Sequence, residues 1–269
     1  MEQHGHNPRQ NVLAVIPARF ASTRLSGKLL LEIAGRPLIV HTLNQVKKAR
    51  NVDRVIVATD DERIRRVVEQ HGGEAVMTSP DHTSGSDRVA EVARWLSPEC
   101  GIVVNVQGDE PMIPTATIER CIDALIQDES ADIATTSETI TDPADVLDPN
   151  VVKVVTDRDS CAVYFSRSPI PFPRSAVERH GSLAAALERE PEVIGTFRKH
   201  TGLYAYRRDY LLKFSAMDAS PLERVEMLEQ LRALESGARI RVVEVDERSI
   251  GVDTESDFER VRRALETPG

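Results

Sequence analysis

Residues 12–28 read VLAVIPARFASTRLSGK, an apolar run, a proline, and then a loop that gathers Arg19, Arg24 and Lys28 without a carboxylate. The run has the continuous apolar character of a short strand buried on both faces. Pro17 cannot donate to a ladder and Gly27 permits close backbone approach, so the loop starts where a parallel sheet ends. Open α/β sheets bind their ligands at that edge. The whole chain has 34 Lys and Arg against 43 Asp and Glu, and a strand-end loop that excludes acid in such a chain suits a polyanion, phosphate first. A solvated basic turn is the plainer alternative for any charge run taken alone. The stretch is neither a P-loop, since Leu29 follows Gly27-Lys28 where Ser or Thr is required, nor a dinucleotide-binding fingerprint.

Outward from this strand the pattern alternates. Strand-like runs at 12–16, 54–58, 74–77, 102–106 and 133–136 are separated by helical patterns at 37–49, 61–71, 86–95 and 115–127. This rhythm predicts an α/β fold, a mainly parallel sheet with helices on both faces. Runs at 151–156, 162–166 and 202–206 surround a proline-rich turn at 168–173 and read as an inserted β-rich arm over about 150–206. Residues 175–195, rich in Ala, Glu and Arg, predict a solvated helix or a mobile segment. Helix, strand and helix return at 221–235, 240–245 and 255–265. The expected organisation is a flexible tail at 1–10 and a single domain at 11–269.

With 269 residues, 41% of them hydrophobic, the chain can bury a full core. A net charge of −9 without a basic tail excludes general nucleic-acid binding. Cys100, Cys121 and Cys161 have neither disulfide-framework nor zinc spacing and fit a reducing compartment. No run approaches the ~20 apolar residues of a membrane span, and the opening MEQHGHNPRQ has no apolar targeting segment. A cytoplasmic protein without a membrane partner is expected.

The second chemical signal is VVNVQGDEPMI at 103–113, a buried strand that ends in Gln107, Gly108 and Asp109. Packing needs no carboxylate there. Asp109 would project into the crevice beside the cationic loop, where a hard oxygen ligand next to phosphate suits Mg²⁺; a turn with a capping Asp is the alternative. Asp253, in SIGVDT at 249–254, is an ordinary neighbour of a helix start until it is paired with Asp109. His200 and Tyr204 share one face of a strand with Gly202 leaving space between them, or His200 is simply a half-buried structural residue. Glu226, Glu229 and Gln230 fall on neighbouring helical turns and face one pocket or solvent. In DHTSGSDR at 81–88, Ser86 is a candidate N-cap, and the loop's N–H and hydroxyl groups suit a base edge.

Taken together, IPARFASTRLSGK, VATDDERI, HTSGSDRVAE, NVQGDEP, HTGLYAYR, LERVEMLEQLR and GVDTESDFERV, in order between residues 12 and 262, closely resemble the 3-deoxy-manno-octulosonate (Kdo) cytidylyltransferases, the CMP-Kdo synthetases of Gram-negative bacteria. The resemblance implies a nucleotide-diphospho-sugar transferase fold, a homodimer formed largely through the arm, and conversion of CTP and Kdo into CMP-Kdo and pyrophosphate for lipopolysaccharide synthesis. It places Ala18, Arg19, Lys28, Ser84 and Gly85 at nucleotide-binding positions and Arg24, Gln107, His200, Tyr204, Glu229 and Gln230 at sugar-binding positions. Asp109 and Asp253 match the family's Mg²⁺ ligands, and the resemblance implies that they act catalytically with Arg19 and Lys28. Ser26 replaces a usual proline, and 175–195 departs from the family pattern. The alternatives are a cytidylyltransferase for another acidic sugar, such as sialic acid or amino-substituted Kdo, and a non-catalytic CTP or nucleotide-sugar sensor. Retention of both aspartates argues against the sensor.

Overall fold

The structure, a computed structural model, describes residues 11–21, 25–96, 99–247 and 249–266. The expected tail at 1–10 and Arg24 lie outside these residues. The opening apolar run is β1 (Asn11–Ala18), and a 3₁₀ turn at Lys28–Leu30 leads into the small hairpin β2 (Glu32–Ile33) and β3 (Arg36–Pro37). The chain then alternates as α1 (Leu38–Val46), β4 (Arg54–Thr59), α2 (Glu62–Gln70), β5 (Glu74–Met77), α3 (Gly85–Arg94), β6 (Cys100–Asn105), α4 (Thr115–Gln127) and β7 (Ile133–Thr139). A less regular stretch comprises α5 (Pro143–Leu147), β8 (Lys153–Thr156), β9 (Ala162–Ser166), α6 (Arg174–His180), α7 (Leu183–Arg189) and α8 (Pro191–Ile194). It ends in β10 (Arg198–Arg207), α9 (Arg208–Phe214), α10 (Pro221–Glu226), α11 (Gln230–Glu235), β11 (Ile240–Val245) and α12 (Glu255–Glu266).

The main sheet runs β11-β7-β10-β6-β1-β4-β5. β1 lies parallel to β4 and β6, β4 to β5, and β7 to β11. Alternate residues of β1 feed opposite cores, as the pleat requires. Val12, Ala14, Ile16 and Ala18 pack with α1, α2, α4 and α12, while Leu13 and Val15 pack with α3, α9 and α11. Side-chain caps start the helices: Asp61 accepts from Arg63 N at α2, and Ser84 from Asp87 N at α3. Among the described residues no helix is long and apolar enough to cross a membrane.

Four expectations are corrected. β10, whose second half was read into the arm, lies inside the main sheet, antiparallel to both β6 and β7; alternation reveals a strand but not its direction. The stretch before it is mixed rather than β-rich, with the β8–β9 hairpin beside short helices. Residues 175–195 are neither a lone solvated helix nor without a core. Ala176, Ala186, Leu187, Val193 and Ile194 bury themselves with Ile140, Val146 and Phe197, since alanines close enough to a Phe make a core that a search for large side chains overlooks. The 221–235 helix is broken at Met227, which sits at φ +54° and separates α10 from α11.

Candidate active site

Because β1 and β6 are parallel neighbours, their C-terminal ends deliver Arg19 and the Gln107–Asp109 turn to the same edge. Close approach at that turn is possible because residue 108 is glycine: a Cβ there would stand 3.0 Å from Pro17 O and 3.2 Å from Ile39 Cδ1. The Thr42 hydroxyl of α1 pins the turn by donating to Gly108 O at 2.9 Å. On the other side Gly27, at φ +64°, leads the chain into the 3₁₀ turn that presents Lys28.

Lys28 Nζ joins the separate parts. It donates to Asp109 Oδ2 at 2.5 Å, Asp253 Oδ1 at 3.0 Å and Val252 O at 2.9 Å. The 249–254 loop is docked independently, by Val252 N donating to Asp109 O at 2.9 Å. Burial works against the Lys28 charge, but Asp109 and Asp253 together outweigh it and raise the ammonium's pKa. These groups border a cavity of about 300 Å³ that Arg19, Gly85 and Gln107 also line. Arg19 Nη2 is buried without a hydrogen-bond partner among the described residues, a donor that an anion would satisfy. Ala18 is fully buried at the end of β1 and has only its backbone to offer.

Two carboxylates meeting at one point form a hard-oxygen donor pair. Among the described residues no group of three or more His, Cys, Asp or Glu side chains is arranged to hold a metal. By its donor chemistry a pair of carboxylates suits Mg²⁺, which takes one or two carboxylates and completes its shell with water and phosphate oxygens, whereas structural zinc is held by four Cys and His ligands.

A second cavity, of about 430 Å³, shares Gly85 and Gln107 with the first and is walled by His200, Tyr204, Glu229 and Gln230. In β10 the register slips between Thr201 and Tyr204. Residues 202 and 203 bulge out, and His200 and Tyr204 become close neighbours on one face, ring centroids 5.3 Å apart, instead of standing either side of a gap. Thr135 Oγ1 donates to Leu203 O at 2.7 Å and lies 2.9 Å from His200 Nε2. Its one proton thus committed, the hydroxyl accepts from the imidazole, so Nε2 carries the hydrogen. Burial lowers the His200 pKa to about 3 and keeps the ring neutral. Burial likewise pushes the Glu229 carboxyl up, against the lowering effect of hydrogen bonds from the Ser86 and Ser84 hydroxyls. Ser84, not Ser86, caps α3. Glu226 faces neither cavity: it accepts from Ser166 Oγ at 2.7 Å and Arg167 N at 2.9 Å, fastening α10 to β9.

The structure thus gathers Arg19, Lys28, Asp109 and Asp253 around one cavity and Gln107, His200, Tyr204, Glu229 and Gln230 around its neighbour, with Gly85 between and Ser84 beside it. Sequence reasoning missed Glu110, which accepts from Ser249 Oγ at 2.9 Å and whose carboxyl is pushed up to about 7 by burial and by Asp109. It also missed Arg88, fully buried and paired with Asp60 at 2.7 Å. The Asp-Glu doublet signalled the first; nothing in an amphipathic helix signalled the second.

An α/β sheet whose strand ends bring two cations and two carboxylates to one cleft is suited to a nucleotide's phosphates, and comparison with known proteins makes that class a nucleotidyltransferase. Residues 13–240 match the cytidylyltransferase family. The 3-deoxy-manno-octulosonate cytidylyltransferase of Geobacter sulfurreducens is 49% identical over 95% of this chain and 99% of its own length. That of Pelobacter propionicus is 52% identical over 94% and 96%. A solved structure of CMP:2-keto-3-deoxy-manno-octonic acid synthetase complexed with CTP matches with a TM-score of 0.84 at 40% identity, covering 95% of this chain and 98% of that one. The chain belongs to the 3-deoxy-manno-octulosonate cytidylyltransferase family.

Proposed function

We propose that the chain transfers the cytidylyl group of CTP to Kdo, forming CMP-Kdo and pyrophosphate. The observation that carries this reading is Lys28 holding Asp109 and Asp253 together beside an Arg19 nitrogen that has no partner among the described residues. The anomeric oxygen of Kdo bonds to the α-phosphorus as the bond from that phosphorus to the α,β-bridging oxygen breaks. The bridging oxygen leaves with the electron pair as pyrophosphate, and the hydroxyl proton passes to solvent. Little covalent work falls to side chains, so their task is to position two anions and offset charge.

Arg19 and Lys28 bind the triphosphate, Arg as a fork and Lys as a point charge. Asp109 and Asp253 would hold Mg²⁺, which when bound supplies positive charge to phosphate and sugar oxygens. Ala18, Ser84 and Gly85 serve the nucleotide, and Gln107, His200, Tyr204, Glu229 and Gln230, with Arg24, serve the sugar. The reading extends to a cytoplasmic homodimer. Three unpaired cysteines and the exposed Val163, Phe172, Val225 and Met227 support it.

The test is pyrophosphate release from purified protein with Mg²⁺, each of the four nucleoside triphosphates, and Kdo or sialic acid. Release with CTP and Kdo alone is expected. Release with sialic acid instead would replace the sugar, and CTP binding without release from any pair would favour a sensor.

A further inference from the structure

Phe20 lies between the two cations of the phosphate loop in a way that the chemistry above leaves unused. Its ring is partly buried against the core and lodges on Gly27, where a Cβ would stand 3.2 Å from both Cε2 and Cζ. Arg19 precedes Phe20 and Lys28 follows Gly27, so this one contact joins the loop's two ends immediately beside the groups that meet phosphate. The Arg63 guanidinium lies over the ring, with Cζ 3.5 Å from the centroid. Arg63 is itself fixed, donating from Nε at 2.9 Å and from Nη2 at 2.7 Å to the two oxygens of Asp61. The Phe20 amide points at Asp60 Oδ1, 3.5 Å away, and Asp60 Oδ2 is held by the buried Arg88 at 2.7 Å. The turn after β4 and the start of α2 therefore hold the loop through one residue, Asp60 at the Phe20 amide and Arg63 at its ring.

We propose that Phe20, held by its contacts with both Arg63 and Gly27, is a positioning residue that sets the separation of Arg19 and Lys28 and so tunes the site to the nucleotide's phosphates. The proposal rests on the cytidylyltransferase reading. Arg63 does not touch substrate in it; its guanidinium acts through the ring. A small displacement of either cation would be felt in binding and turnover together, because misplacement on the ångström scale costs up to about 100-fold.

The experiment compares wild type with Phe20→Leu, Arg63→Gln, Arg63→Lys and the Phe20→Leu/Arg63→Gln double variant, reading the CTP Kd by calorimetry, KM for each substrate, and Tm. Arg63 lies at a helix start with its side chain largely exposed, so its variants fold even if Phe20→Leu does not. The expected result is a roughly tenfold weaker CTP Kd and a raised CTP KM for Phe20→Leu and Arg63→Gln, with KM for Kdo and Tm little changed. Arg63→Lys, which keeps a cation over the ring, stays closer to wild type, and the double variant is no worse than Phe20→Leu alone. Unchanged CTP affinity in both single variants overturns the proposal, as does a parallel rise in both KM values with a falling Tm. Wild-type protein that binds no CTP overturns the functional reading itself, before any variant is compared.

Discussion

Lys28 answers three oxygens with one ammonium, and two of them belong to carboxylates 81 and 225 positions further along the chain. Removing one carboxylate while keeping its shape isolates that arrangement. Asp253→Asn retains size and a hydrogen-bond acceptor and loses a charge and a hard ligand. It should lower kcat by roughly 100-fold and raise the Mg²⁺ concentration needed for half-maximal rate; turnover with an unaltered Mg²⁺ dependence would remove the metal role. Arg19 and Asp109 were legible in the sequence because charges at strand ends serve no packing purpose, and Lys28 because it shares an acid-free basic loop; Asp253 came only from its pairing with Asp109 and the family resemblance. Glu110 was not, because which member of an Asp-Glu doublet turns inward is decided by the Ser249 hydroxyl, 139 positions away. Phe20 was hidden for a similar reason: an aromatic in a basic loop gives no sign of the Arg63 face it meets.

At the scale of elements, the turn after β6 is held by contacts with no slack. Gly108→Ala would force its Cβ against Pro17 O and the Ile39 side chain, and the backbone oxygen cannot swing aside. A cost of about 1–3 kcal/mol is expected, with turnover falling further than stability alone explains, because Asp109 rides on the displaced turn. Denaturant unfolding beside steady-state kinetics checks this; a variant with wild-type kcat would mean that the turn tolerates the methyl. The alternation from β1 to β7 was readable because each strand and helix carries its own period. The antiparallel insertion of β10 was not, since direction depends on where the preceding connection enters the sheet. Nor was the break at Met227, where the apolar pattern runs on unbroken while the backbone turns left-handed.

Across the whole molecule, the sheet separates two large cores, and a third, smaller core lies under the short helices near β8 and β9. This outlying part and α10 leave large apolar groups in solvent, Val225 being 81% exposed, an arrangement that suits burial against another copy. Sedimentation velocity should find a dimer of the 29.8 kDa chain at micromolar concentration, and a single monomeric species there would withdraw the homodimer. The overall α/β plan was legible because sheet and helices follow from local patterning, whereas self-association depends on which apolar groups the finished surface leaves uncovered.

The link from Lys28 to Asp253 spans 225 positions. A contact of that length is made only when the strand end of β1 and the loop before α12 are both in place. A half-folded chain can have its strands in register and its helices docked and still be inert. The charge cluster is thus a property of the completed fold, since no single segment of the chain carries all of its members.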